Sequence, residues 1–322
     1  MKEFTIGKND AGQRLDRFAG KAAPLLPSSL TQKYIRLKRI KANGKGAKRD
    51  TKLCVGDVVQ MYVNDEFFEM PNDDNAYLKV SAPDLDIIYE DENIILVNKE
   101  AGVLCHSDGT WSYNTLIARL QAYLYAKHEW RPKEENSFAP ALCNRIDRNT
   151  QGIVIAAKNA EALRILNDKI KNREIDKYYL TVVCGKPTPP SGRIENYLFK
   201  DAKKNQVFIR KTPEPGAKTA ITEYKTLATK GRLSLVECLL LTGRTHQIRV
   251  HMASKSAPLL GDGKYGSEKI NRQYGEKGQL LCSYRLKFSF TTDSGILDYL
   301  NGKDFSVTNI EFVEKYFPEH QF

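Results

Sequence analysis

The sequence predicts an α+β protein: a small helix-plus-hairpin module at the N-terminus, then a larger domain built on a mostly antiparallel mixed sheet. Three observations carry that prediction. Charge is partitioned along the chain. Residues 1–64 hold 14 Lys/Arg against 5 Asp/Glu, residues 65–92 hold 1 against 10, and the remaining 230 hold 35 against 24. Helical periodicity is confined to a few segments. Strand-like runs outnumber those segments and do not alternate with them one for one, which argues against a doubly wound sheet.

In the first block, Leu15, Phe18, Ala19 and Ala22 recur at helical spacing after Arg14, and Pro24 and Pro27 end the run. Ser28 or Ser29 is placed to cap a second helix carrying Leu30, Tyr34, Ile35 and Leu37. That helix also displays Lys33, Arg36, Lys38 and Arg39, so one side is basic while the other packs. Asn43-Gly44 signals a turn, and Gly56-Asp57 precedes Val59, Met61 and Val63 in strand alternation. Residues 1–64 therefore read as a nucleic-acid-binding module, and the acidic, Pro-containing residues 65–82 as a linker.

From residue 83 to 322 the pattern is mixed. Ile87–Tyr89 and Ile94–Val97 pair around Asp91-Glu92-Asn93, and Thr115–Ala126 carries Leu116, Ile117, Leu120, Tyr123 and Leu124 on one helical face. The apolar strand Ile153–Ala157 leads to a helix with Ala162, Leu163, Ile165, Leu166 and Ile170. Strands are expected at 178–184, 205–211, 219–227, 233–241 and 280–290, and a helix after Thr245.

Composition narrows the function. A hydrophobic share of 41% and a charged share of 28% over 322 residues suit an ordinary folded protein. No run approaches the ~18 apolar residues of a membrane helix, and MKEFTIGKND has no apolar signal core. Cys54, Cys105, Cys143, Cys184, Cys238 and Cys282 form no C-x-x-C pair, so reduced thiols in a cytoplasm are expected. A net charge of +11, concentrated in part at the N-terminus, points to a polyanionic partner.

Three segments carry chemistry. Asn144-Arg145-Ile146-Asp147-Arg148-Asn149-Thr150-Gln151-Gly152 lies between apolar pieces, on a turn leading into a strand. A carboxylate between arginines stays ionised and can act as nucleophile or general base, although the same pattern suits a structural ion pair. In Leu241–Met252, a helix starting near Thr245 would put His246, Arg249 and Ala253 on one face. His246 and His251 are five apart with no acid between them, a poor metal spacing, so hydrogen-bonding roles are expected and no metal. Finally, Arg173–Val183 runs from a polar helix end into a strand with Lys177, Tyr178 and Tyr179, aromatics beside cations that suit base stacking or a core.

Together these segments resemble the RluA-type family of pseudouridine synthases. NRIDRNTQG is similar to the family signature His-Arg-Leu-Asp-Arg-x-Thr-x-Gly, and Lys177-Tyr178-Tyr179 to its Lys-x-Tyr element. TGRTHQIRVHMAS with Pro258–Asp262 and Tyr265-Gly266 resembles its longest block, and Val97–Gly102 its Asn-Lys-Pro-Ala-Gly element. The N-terminal block resembles the small RNA-binding module of a ribosomal small-subunit protein. The likeness runs in order from about Gln13 to the strand near Phe290.

The resemblance implies a catalytic domain of the pseudouridine synthase type. It implies an isomerase without metal or organic cofactor that converts uridine to pseudouridine in structured RNA, with large-subunit ribosomal RNA favoured over transfer RNA. It implies Asp147 as the essential carboxylate, Arg249 as its partner, and Tyr179 either stacked on the uracil or taking part in the final proton removal. Arg145 would fill the space of the flipped base, and Arg148, Lys177, Arg244 and His246 would contact RNA beside Lys33, Arg36, Lys38 and Arg39. A monomer is expected. The alternative is a ribosome-assembly or RNA-binding factor that keeps the fold without turnover. Departures from the family pattern are Asn144 for His, Asn149 for Asp, Glu100 for Pro, and Leu281-Cys282-Ser283 for Leu-His-Ala.

Overall fold

The computed structural model describes residues 1–68, 77–78, 80, 85–107 and 114–320. The chain opens with strand β1 (Lys2–Thr5), helices α1 (Leu15–Ala22) and α2 (Ser28–Arg36), and strands β2 (Ile40–Ala42), β3 (Lys45–Gly46) and β4 (Val58–Met61). The strands pair in the order β1-β4-β2-β3. Helical spacing puts Leu15, Phe18 and Ala19 on the inner side of α1, where they close over Ile35, Ile40, Val59 and Met61 in the module's own core. Asn43 and Gly44 both take positive φ at the β2–β3 turn, 53° and 74°, as an Asn-Gly hairpin requires.

The start of α2 differs from expectation. Ser28 is already helical, the cap position falls on Pro27, and no side chain caps the helix. Thr31 instead bonds the Pro27 carbonyl through its backbone N–H and its hydroxyl, at 2.9 and 3.2 Å. Leu37 lies just past the helix and is exposed rather than packed. Lys33, Arg36, Lys38 and Arg39 are all exposed.

The module meets the rest of the chain through polar contacts. Buried Asp10 accepts from Asn136 Nδ2 and Ser137 Oγ, at 2.9 and 2.6 Å. Asn9 donates to Glu135 and accepts from the Ala160 N–H at the start of a later helix. Of the expected 65–82 linker, residues 65–68 form a 3-10 turn whose Phe67 and Phe68 pack on the module core. Tyr77 packs instead against Tyr125 and Trp130 of the larger part. The linker residues 69–76, 79, 81 and 82 lie outside the described residues.

The larger part continues with β5 (Ile87–Glu90), β6 (Ile94–Lys99), α3 (Leu116–Ala126), β7 (Ala141–Leu142), β8 (Gln151–Ala157), α4 (Ala160–Lys171), β9 (Ile175–Cys184), β10 (Ser191–Asp201), β11 (Gln206–Arg210), β12 (Ala217–Lys230), β13 (Leu233–Leu240), α5 (Gln247–Ser254), α6 (Glu268–Tyr274), β14 (Leu281–Phe288), β15 (Asp304–Ser306) and α7 (Glu311–Tyr316). One sheet runs β11-β10-β12-β13-β9-β14-β8-β6-β5, with β15 on β14 and β7 on β8. All its pairings are antiparallel except β14 with β8.

Strand β10 was not anticipated. Its buried residues Ile194 and Leu198 are four apart, a spacing that a helix gives as readily as a strand. The ladder with β12, from Ser191 against Lys225 to Phe199 against Ala217, decides its form.

Because alternate residues of a strand point to opposite faces, β6 and β8 bury both sides. Ile94, Leu96, Ile153 and Ile155 join Leu166 of α4 and the C-terminal Phe312 and Phe317 on one face. Ile95, Val97, Val154 and Ala156 meet Leu116, Leu120 and Leu124 of α3 on the other. Beyond β14 that second face is covered by Ile248 and Met252 of α5. Each fully buried aliphatic side chain of this kind contributes about 1.5–3 kcal/mol.

Among the described residues, the two halves of the sheet pair where Cys282 meets Gln151 and Ser283 meets Gly152. A Cβ on Gly152, whose φ is +109°, would sit 2.3 Å from the Ser283 carbonyl oxygen, so the seam closes only over glycine. No helix among the described residues is long and apolar enough to cross a membrane.

Candidate active site

The loop 144–150 enters β8 at this seam. Ile146 packs against both hydrophobic clusters flanking it, those of α3 and of α5, and so fixes the height of the next residue, Asp147. Asn144 Oδ1 accepts the Ile155 N–H at 2.8 Å, and the Cys143 N–H reaches the Ile155 carbonyl at 2.7 Å. On the other side Lys99, 1% exposed, donates its Nζ to the carbonyls of Glu100, Val103 and Arg148 at 2.7, 2.8 and 3.0 Å. Those three bonds use every proton of the ammonium group. Burial pulls Lys99 down to about 8, against the attraction of Cys105, Asp147 and Glu100. The Gly102 N–H also reaches the Arg148 carbonyl, at 2.8 Å.

Arg249 arrives from α5 in the other half of the sheet. It is 6% exposed and forks onto Asp262, with Nε to Oδ2 at 2.7 Å and Nη2 to Oδ1 at 2.9 Å, while Nη1 donates to Asp147 Oδ2 at 3.0 Å. Burial alone would lower the guanidinium's pKa, but the bonds to Asp262 and Asp147 carry it above its ordinary value. Burial would raise the Asp262 carboxyl, and Arg249 together with the N–H groups of Lys264 and Tyr265 holds it below the usual range. Asp147 Oδ1 accepts no hydrogen bond among the described residues, which leaves one oxygen free for chemistry.

Gln247 explains why α5 sits where it does. Its Oε1 accepts from Thr242 Oγ1 and the Arg244 N–H, and its Nε2 donates to the Ile221 carbonyl and Thr222 Oγ1 of β12. His251, fully buried, bonds Thr222 through Nδ1 and Asn196 through Nε2. It therefore faces the sheet rather than the cleft, and burial pushes it down to about 4. The helix starts at Gln247, so His246 is not helical as expected but takes a left-handed φ of 54°. Its Nε2 still comes within 3.9 Å of Asp147 Oδ2. Among the described residues, no group of three or more His, Cys, Asp or Glu is placed to hold a metal ion.

These elements line a cleft of about 910 Å³ with Asp147 and Tyr179 in its wall. Tyr179 stands on β9 and is 5% exposed, and burial pushes its phenol up to about 12. Arg145, Arg148 and Arg244 are exposed around the opening. Lys177 also lines the cleft but is buried, its Nζ bonded to the Ile175 carbonyl and its pKa lowered by burial, so it does not stand out to meet a phosphate.

At the sequence departures the local contacts are mixed, and Asn144 Nδ2 is buried with no hydrogen-bond partner among the described residues. Asn144 supplies an acceptor to β8, and Glu100 contributes its backbone carbonyl. Ser283 contributes the backbone that approaches Gly152. Lys99, Gln247, Asp262 and Tyr265 were not singled out from sequence. Their signal in the sequence is membership of the blocks that resemble the family, and their partners are in part local and in part remote, as Lys99 with Val103 and Arg148 shows.

The chain matches the RNA pseudouridylate synthase family over residues 93–254. It is 34% identical over 291 residues to an uncharacterized RNA pseudouridine synthase of Mycoplasma genitalium, covering 89% of this chain and 88% of that protein. It is 31% identical over 267 residues to ribosomal large subunit pseudouridine synthase C of Rickettsia bellii, covering 80% and 84%. In fold it is similar to human RNA pseudouridylate synthase domain containing 4, with a TM-score of 0.54 and 19% identity over 74% of this chain and 93% of that one.

Proposed function

The chain belongs to the RNA pseudouridylate synthase family and is an isomerase acting on RNA, and on that premise we propose that Asp147 is the carboxylate that makes uridine into pseudouridine. The reaction breaks the N-glycosidic bond, turns the uracil and rejoins it through carbon-5. The observation that carries the assignment is the 3.0 Å bond from Arg249 to Asp147 Oδ2, with Oδ1 left unbonded in the cleft wall. A carboxylate oriented through one oxygen and open at the other can attack the sugar or remove a ribose proton.

Tyr179, in the cleft wall with its phenol pushed up to about 12 by burial, stacks on the uracil or takes part in the final proton removal. The target lies stacked in RNA and has to be flipped out, at a cost of a few kcal/mol. Arg145, exposed at the opening, takes the vacated place. Arg148 and Arg244 meet phosphates there, and Lys33, Arg36, Lys38 and Arg39 do so on the N-terminal module. Large-subunit ribosomal RNA is the favoured substrate over transfer RNA. The name of the Rickettsia bellii relative supports that choice. The protein acts as a cytoplasmic monomer without metal or organic cofactor.

The test is hydrogen release from uracil carbon-5, since joining the base there must expel that hydrogen. Purified protein in EDTA is expected to release it from carbon-5-labelled RNA of a strain lacking this protein. No release from that RNA would favour the binding factor without turnover. The basic face makes a separate prediction. Each phosphate that a side chain no longer neutralises flattens the slope of log affinity against log salt by about 0.7–0.9. Changing Lys33, Arg36, Lys38 and Arg39 to Gln should therefore flatten it by up to about 3 while the fold is kept. A slope equal to wild type would remove the module from the RNA interface.

A further inference from the structure

We propose that His246 is a positioning residue that presents an Nε2–H to Asp147 Oδ2, acting with Arg249 to fix which carboxylate oxygen stays free to react. The proposal rests on the assignment of Asp147 as the reacting carboxylate. It starts from Tyr265, whose hydroxyl oxygen accepts the Val207 N–H at 2.8 Å. With that contact made, the hydroxyl proton is available to His246 Nδ1, 2.9 Å away. An Nδ1 that accepts leaves the ring proton on Nε2.

That nitrogen faces the cleft, 3.9 Å from Asp147 Oδ2. The gap is about 1 Å longer than a hydrogen bond, a distance that loop movement on binding RNA can close. His246 takes a left-handed φ of 54° immediately before α5, a conformation for which His is enriched and which six other non-glycine residues among the described ones also take. Tyr265 serves both donors. Its ring centroid lies 5.3 Å from the Arg249 guanidinium carbon, and its hydroxyl orients His246. Both donors then converge on Oδ2, and Oδ1 remains open.

The test compares His246→Ala, His246→Gln, Tyr265→Phe and the double variant His246→Ala/Tyr265→Phe, measuring kcat and KM separately. Gln can place an amide N–H near the position of Nε2, whereas Ala cannot. His246→Ala should lower kcat about tenfold or more with KM within about threefold, and His246→Gln should recover kcat to within about threefold of wild type. The double variant should be no slower than His246→Ala alone, because Tyr265 acts on turnover through His246. A His246→Ala kcat within twofold of wild type would overturn the proposal, as would a Gln variant as slow as Ala or an additive loss in the double variant. Asp147→Ala, run in parallel, separates the two levels. Activity in that variant would count against the carboxylate assignment itself, while its inactivity beside a fast His246→Ala would sink only the role of His246.

Discussion

Replacing Asp147 by Ala or by Asn is expected to take hydrogen release from uracil carbon-5 below about one percent of wild type. RNA affinity should stay within a few-fold. The reason for that split lies in where the contacts are. The groups proposed to hold RNA are the exposed arginines around the cleft and the basic face of the N-terminal module, and neither depends on Asp147. Asp147 itself is half-buried, with one oxygen bound to Arg249 and the other open to the cleft. Asn is the sharper of the two changes. It keeps the volume and still offers an oxygen to Arg249, so its inactivity would isolate the loss of a reacting carboxylate from any loss of packing. Turnover above a few percent in the Asn variant, measured in single-turnover assays, would mean that another group carries the chemistry.

Removing Arg249 should damage both stability and turnover, and the two effects can be separated. Arg249→Met leaves Asp262 fully buried with an uncompensated charge. Breaking a buried pair in this way costs about 3–5 kcal/mol. For a domain of this size that corresponds to a fall of roughly 6–20 °C in melting temperature. Turnover should fall between about tenfold and a hundredfold, the equivalent of one hydrogen bond to a charged group worth about 1.5–3 kcal/mol. Adding Asp262→Asn removes the stranded charge, so Arg249→Met/Asp262→Asn should regain most of the stability. It should remain slow, because nothing then donates to Asp147 Oδ2 from that side. A double variant that regains turnover together with its melting temperature would show that Arg249 supports only the fold.

The seam between the two half-sheets explains why the site is where it is. Asp147 comes from the half built on β8, and Arg249 from α5, which Gln247 and His251 lock onto β12 and β10. Among the described residues the two halves are joined in the strand ladder by the short β14–β8 pairing, closed over Gly152, and share one hydrophobic cluster on one face. The cleft thus lies between Arg249 on α5 and Asp147 on the loop that leads into β8.

The sequence by itself determined whatever depends on neighbours a few residues away. The periodicity of Leu15, Phe18 and Ala19, the Asn43-Gly44 turn and the apolar strand Ile153–Ala157 are all short-range patterns, and each led to the element found there. Ordered blocks resembling a known family added Asp147, Arg249 and Tyr179 as a set.

Tertiary structure alone decided the rest, because the deciding partner is remote. Arg249 reaches Asp147 across 102 residues of chain. Lys99 finds the Arg148 carbonyl 49 residues on, and β10 becomes a strand through its ladder with β12. Lys177, basic by residue type, is buried once β9 is packed between β13 and β14. Local patterns report which way a side chain can point. Long-range packing reports what it meets there, and in this protein the second question settles which charged groups stand in the cleft and which hold it together.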